Sequence, residues 1–154
     1  KVTKSVIDKI DKLYQEDIIG SNDSISLIIC NNISNVLDGY AKNYNKLNNN
    51  NISYSGNLNN YEKRHLKNLH IYYIDTLCVN IMKHEYVPKH ICIRNDKKIK
   101  EILSKYNATE DQFPIIKSND SVAKLLRLVP GDMVEIKRKS IKSGEYSFYR
   151  ICKD

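Results

Sequence analysis

The chain has 154 residues, 41% of them hydrophobic and 28% charged, which bounds it to one domain or two small ones able to bury a core. No run approaches the roughly 18 apolar residues of a membrane-spanning helix, so no membrane partner is expected. The formal charge of +7 points toward nucleic acid, but abundant Lys, Asn, Ile and Tyr with no Trp is the usage of an A/T-rich coding sequence, and the excess is local: residues 1–80 carry nine basic and eight acidic groups, residues 113–154 nine and five.

The sequence opens on Lys1 without a signal-peptide pattern, as a piece of a longer product would. Val6, Ile10, Leu13 and Tyr14 recur at helical spacing from about Thr3 to Asp17. Gly20-Ser21-Asn22-Asp23 is a turn signal, and Ile25 to Cys30 is apolar enough to predict a buried strand. Ser34 suits the N-cap of a helix carrying Val36, Leu37, Tyr40, Ala41, Tyr44 and Leu47, whose apolar face should pack on that strand. Asn48 to Asn60 is low in complexity and reads as a surface loop. Tyr61 to Lys67 fits a short helix, His70 to Ile74 a second strand, and Asp75 to Asn80 a helical turn. Strand, helix, strand predicts a small layer with a parallel pair.

Val87-Pro88 marks a boundary, because the residue before proline is held extended. Ile91 to Arg94 is a short strand. Asn95 or Asp96 can cap the next helix, in which Ile99, Ile102, Leu103 and Tyr106 form one stripe and the lysines a solvated face. Asn107 fits a left-handed stop. Phe113 to Ile116 is a strand, and Asp120 caps a helical pattern of Val122, Leu125, Leu126 and Val129 that Pro130-Gly131 breaks. Asp132 to Arg138 and Glu145 to Cys152 are strands joined by a six-residue turn, Lys139 to Gly144. The expected class is α/β (α+β): a partial α/β domain over 1–82, then a small domain over 83–154 with a mixed sheet and two helices.

Cys30, Cys78, Cys92 and Cys152 stand singly in apolar runs, so they read as small buried hydrophobes. His84 and His90, six apart without partner cysteines, lack a zinc-ligand pattern. No metal or cofactor is expected.

The C-terminal stretch resembles the assembly domain of the fifth, shared subunit of eukaryotic nuclear RNA polymerases and of its shorter archaeal counterpart. The resemblance rests on Pro114, Ile116, Asp120, Val122-Ala123-Lys124, Gly131, Val134, Ile136, Arg138, Ser140, Gly144, Tyr149 and Arg150, in order and at the right spacing. His84 to His90 fits the start of the same domain. The order of elements in the first half resembles, more weakly, the second half of the eukaryotic subunit's N-terminal jaw, a fold similar to restriction endonucleases. The archaeal counterpart lacks a jaw, so the resemblance implies a eukaryotic or viral type.

The chain departs from the family at three places. Asp120-Ser121 stands where the family commonly has Asp-Pro, so the Asp120 cap is kept and the missing proline costs about 0.5 kcal/mol through the unfolded state. Arg127 stands where the family has glycine, so it either turns left-handed at roughly 1 kcal/mol or the helix ends differently. Lys139 to Gly144 keeps Ser140 and Gly144 but loses the family's other turn residues.

The resemblance implies a non-catalytic subunit of a DNA-dependent RNA polymerase, anchored to the largest subunit of the multisubunit enzyme. Pro114, Asp120, Gly131, Arg138, Ser140, Gly144, Tyr149 and Arg150 would meet that partner, the arginines through their guanidinium forks. Arg138 and Arg150 equally suit snorkelling surface positions. On alternation, Tyr146 and Phe148 face opposite to Tyr149, so the three cannot all be core of a one-sided sheet. The jaw would lie near downstream duplex DNA, with Asn31, Asn32, Ser34 and Asn35 offering helix-start N–H groups to phosphate. An ordinary helix cap explains the same residues. A location in the nucleus follows if the protein is cellular, and in a virion or viral factory if it is viral. Two other classes stay open. A nuclease-like domain needs a carboxylate pair and a lysine on one strand edge, and Ile25 to Cys30 offers no Glu-x-Lys. A free-standing nucleic-acid-binding module needs tight, salt-steep binding by the isolated chain.

Overall fold

The computed structural model describes residues 4–16, 18–20, 23–30, 35–51, 68–142 and 144–154. They form two compact units, one of the described residues up to Ile74 and one of those from Asp75 to Asp154.

The first unit holds helix α1 (Lys4–Gln15), strand β1 (Ile25–Ile29), helix α2 (Asn35–Asn51) and strand β2 (Leu69–Tyr73). The strands are parallel, with Ile25 opposite Leu69 and Ile29 opposite Tyr73. A parallel pair needs a crossover, and α2 lies within it. Ile10, Ile29, Leu37, Ala41, Leu69 and Ile71 make the core. Asn45 ties α2 to β2 through both amide atoms: Nδ2 donates to Leu69 O (3.0 Å) and Oδ1 accepts from Leu69 N–H (2.7 Å).

Three expectations change here. Strand β1 is not buried on both faces: its burial alternates and Ile28 is 57% exposed, because only the face bearing Ile25, Leu27 and Ile29 meets this core. Leu47 is exposed rather than packed. Helix α2 continues through Asn48–Asn51, since propagation adds a hydrogen bond per residue and neither Pro nor Gly intervenes there. The expected loop beyond Asn51, the helix over Tyr61 to Lys67 and the Ser34 cap lie outside the described residues.

Helix α3 (Ile74–Cys78) follows β2 directly and buries none of its residues. A 3-10 turn at Ile81–Lys83 precedes β3 (Lys89–Ile93). Helix α4 (Asp96–Tyr106) comes next, then a 3-10 turn at Glu110–Gln112, β4 (Ile115–Lys117), helix α5 (Ser121–Leu125), β5 (Met133–Ser140) and β6 (Gly144–Lys153). The sheet order is β3-β5-β6-β4, antiparallel except for the parallel β4–β6 pair. The sheet is therefore mixed and the fold α+β, as expected.

Local signals explain the boundaries. Asn95 accepts from Lys97 N–H (3.0 Å) and Lys98 N–H (3.3 Å) and so starts α4. Asn107, at φ 46° and ψ 47°, ends it in the left-handed region. Asp120 caps α5 by accepting from Val122 and Ala123 N–H (2.9 and 3.3 Å). Arg127 takes the left-handed alternative, at φ 51°. Leu128 N–H then donates to Ala123 O (2.9 Å), and α5 stops at Leu125 rather than running on toward Val129.

The sheet carries a core on each face. Val134, Ile136 and Cys152 pack with Ile116, Ala123 and Leu128 on one side. Met133, Ile151 and Ile93 pack with Ile99 and Ile102 on the other. Phe148 packs against the first cluster and Tyr149 against the second, so the opposed parities of β6 are served by a two-sided sheet. Of the cysteines only Cys152 is buried; Cys92 is half-buried, and Cys30 and Cys78 are exposed. Cys30 lies just past the end of β1, and Cys78 ends a helix that buries nothing, so apolar neighbours in sequence did not bring them into a core.

Candidate partner-binding surface

The β5–β6 hairpin carries most of the expected partner residues. Its strands pair from Met133–Ile151 to Ser140–Gly144, so the turn is the short link 141–143 rather than six residues. Gly144, at φ 71°, supplies the left-handed geometry that reverses the chain, which lets the ladder absorb Lys139 and Ser140. Ser140 Oγ accepts from Lys142 N–H (3.3 Å). Ile141 stands fully exposed at the tip.

On one face of the hairpin, Arg138 and Arg150 flank a single ring. Each guanidinium carbon lies 5.4 Å from the Phe148 centroid, within cation–π range. Arg150 Nη1 also donates to Ile115 O (2.7 Å). Among the described residues neither arginine has a carboxylate partner. Tyr146 lies opposite Arg138 and is 40% exposed. The face thus presents two oriented cations on an aromatic base, suited to carboxylate or another anion.

Tyr149 is on the other face. It meets Tyr106 edge-on (5.7 Å), and Tyr106 meets Phe113 (5.9 Å). Burial raises the Tyr149 phenol above its ordinary value, and nearby Glu135 and Tyr106 add to that. Glu135 accepts from Ser147 Oγ (2.6 Å) and lies 3.9 Å from Lys98 Nζ.

Pro114, Asp120 and Gly131 do a different job, holding the elements around the hairpin. Pro114 O accepts from Ile151 N–H (2.9 Å), Asp120 caps α5, and Gly131, at φ 95°, donates its N–H to Cys152 O (2.8 Å). The expected site residues therefore divide three ways: Arg138 and Arg150 together on one face with Ser140 and Gly144 toward the tip, Tyr149 on the reverse, and three framework positions. Asn31, Asn32 and Ser34 lie outside the described residues; Asn35 opens α2.

Sequence reasoning missed a buried polar centre beside this sheet. Asp132 is fully buried. Its Oδ2 accepts from Val129 N–H (3.2 Å), lies 3.8 Å from Arg94 Nη2, and accepts from the Cys92 thiol (3.8 Å). Arg94 also reaches Leu126 O (3.5 Å). Burial first, then the Asp132 charge, pushes the Cys92 thiol up to about 12. The one signal was an Asp directly after Pro130-Gly131, which reads in sequence as an ordinary turn residue.

The family model "RNA polymerase Rpb5, C-terminal domain" matches residues 79–152, from before β3 to the penultimate residue of β6, whereas Asn35 and α2 lie outside it. The DNA-directed RNA polymerase subunit Rpo5 of Pyrococcus abyssi is 46% identical over 72 residues, 47% of this chain and 87% of that protein. The chain belongs to the RNA polymerase Rpb5 family. Rpo5 of Methanosarcina mazei is 43% identical over 72 residues and 91% of its own length. The Dictyostelium discoideum subunit rpabc1 of DNA-directed RNA polymerases I, II and III is 43% identical over 76 residues, 49% of this chain but only 38% of that subunit. Every residue of the Arg138–Phe148–Arg150 face and of the Asp132 centre falls within the matched Rpb5 span.

Proposed function

We infer that this Rpb5-family chain is a non-catalytic subunit of a DNA-directed RNA polymerase. The observation that carries the reading is its 46% identity across 87% of an archaeal polymerase subunit. Residues 83–154 form the assembly domain and anchor the chain to the largest subunit, with Arg138 and Arg150 taking carboxylates and Ser140, Gly144 and Tyr149 in the contact. Two cations without carboxylate partners among the described residues support that role. Residues 1–82 form a partial jaw near downstream duplex DNA, with Asn31, Asn32, Ser34 and Asn35 toward its backbone. The parallel β1–β2 pair supports the jaw reading. The chain resides in the nucleus of a cellular host, or in the virion or viral factory if the polymerase is viral.

The test is co-purification. Tagged full chain, expressed with the cognate large polymerase subunits, brings down the largest subunit in a salt-stable complex. Failure to recover any large subunit removes this reading. The isolated chain binds duplex DNA with Kd above about 10 µM at physiological salt, in the non-specific range. Nanomolar binding with a steep salt slope instead favours a free-standing nucleic-acid-binding module.

A further inference from the structure

Strand β6 is paired unequally along its two edges. Its inner edge follows β5 from Gly144 to Ile151, whereas β4 covers the outer edge only at Ile151–Lys153. The bonds fix which groups point where. Ile151 N–H donates outward to Pro114 O (2.9 Å) and Lys153 O accepts from Ser118 N–H (2.9 Å), while Cys152 N–H donates inward to Asp132 O (2.8 Å). Alternation then turns the N–H and C=O of Glu145, Ser147 and Tyr149 outward. Among the described residues, none bonds to these backbone groups.

The open edge runs about 23 Å over seven residues. It includes Tyr146, Phe148 and Tyr149 and contains neither proline nor lysine, two of the devices by which sheets guard a bare edge, and its charged residues are Glu145 and Arg150 at its two ends. The opposite edge strand, β3, is shorter, starts on Lys89 and follows Pro88. Charge also distinguishes the hairpin. Lys137, Arg138, Lys139, Lys142, Arg150 and Lys153 stand against Glu135, which is turned to Ser147 and Lys98, and Glu145. The Arg150 guanidinium, bonded to Ile115 O, lies beside β4 where the open edge begins.

We propose that the outer edge of β6, from Glu145 to Tyr149, takes an extended acidic segment of a partner polymerase polypeptide as an added strand, with its carboxylates on Arg138 and Arg150. The proposal rests on the polymerase-subunit reading and specifies its contact. Main-chain bonds to the outward groups hold the segment, and the guanidinium forks select its charge. A second copy of this chain is the poorer occupant, because pairing two β6 edges brings two basic hairpins together.

Amide hydrogen exchange on the full chain, alone and reconstituted with the cognate large polymerase subunits, tests this. In the free chain the amides of Glu145, Ser147 and Tyr149 exchange freely while those of Tyr146, Phe148 and Arg150 are protected. In the complex the first three slow at least tenfold. Ser147→Pro removes an outward N–H together with the Ser147 Oγ–Glu135 bond to β5; it weakens binding at least tenfold, as does Arg138→Glu with Arg150→Glu, whereas Ser147→Ala, which removes the side-chain bond alone, leaves binding within twofold. A complex that forms with those three amides unprotected overturns the edge proposal and leaves the polymerase reading intact. No complex with any polymerase subunit overturns both. Protection in the chain alone that grows with its concentration assigns the edge to a second copy and overturns the proposal.

Discussion

Asp132 shows how much one buried side chain can carry. Its carboxylate receives a backbone N–H from Val129 and stands 3.8 Å from Arg94, while being fully buried itself. Removing it leaves the Arg94 cation and the Val129 N–H short of a partner. Breaking a fully buried pair costs about 3–5 kcal/mol, and because Arg94 is 36% exposed the expected loss for Asp132→Ala is nearer 2–3 kcal/mol, measured by urea unfolding. Arg127 makes the opposite case. It holds φ 51°, which costs a non-glycine residue of order 1 kcal/mol. Arg127→Gly is therefore expected to stabilise by about 0.5–1 kcal/mol, and an unchanged urea midpoint would argue against strain there. Cys92 adds a pH dependence. Its folded-state value lies near 12 against an ordinary 9.0. Between those limits the folded state keeps a proton that the unfolded state loses, so this contribution is present below pH 9 and falls as pH rises toward 12. Cys92→Ala flattens that alkaline decline. At pH 8 in the folded chain, iodoacetamide modifies exposed Cys30 and Cys78 at least tenfold faster than Cys92.

At the scale of elements, caps and turns were readable and lengths were not. Asn95 and Asn107 start and stop α4 as their chemistry requires, and Asn95→Ala is expected to cost about 1 kcal/mol, read from thermal unfolding. Ser121 occupies the first position of α5, where a proline would bring its own φ and give up an N–H that a helix start leaves spare. Ser121→Pro is thus expected to raise stability by about 0.5 kcal/mol in the same measurement. The hairpin turn was misread in length. Strand pairing extends for as long as register and geometry permit, and no composition rule tells Ser140 that Gly144 lies opposite. Helix α2 ran on through its asparagines for a related reason, cooperative propagation outweighing weak propensity. The candidate site shows the same split. Arg138 and Arg150 were nameable as residues, but their joint hold on Phe148 depends on the β5–β6 register, in which Ile136 lies opposite Phe148 and Arg138 opposite Tyr146.

At the scale of the molecule, the Rpb5-family span and the unit that precedes it are each built on a sheet of their own. Sequence alone determined the class, the parallel strand–helix–strand of the first unit, the helix signals around Asn95, Asn107 and Asp120, and the family. These depend on local periodicity, capping chemistry and ordered spacing, all carried by neighbours along the chain. Tertiary structure alone decided that the second sheet is packed on both faces, that Asp132 is the buried partner of Arg94, and that β6 leaves three outward N–H and C=O pairs bare among the described residues. Those facts come from residues tens of positions apart meeting in register, and linear spacing carries no record of which strand lies beside which.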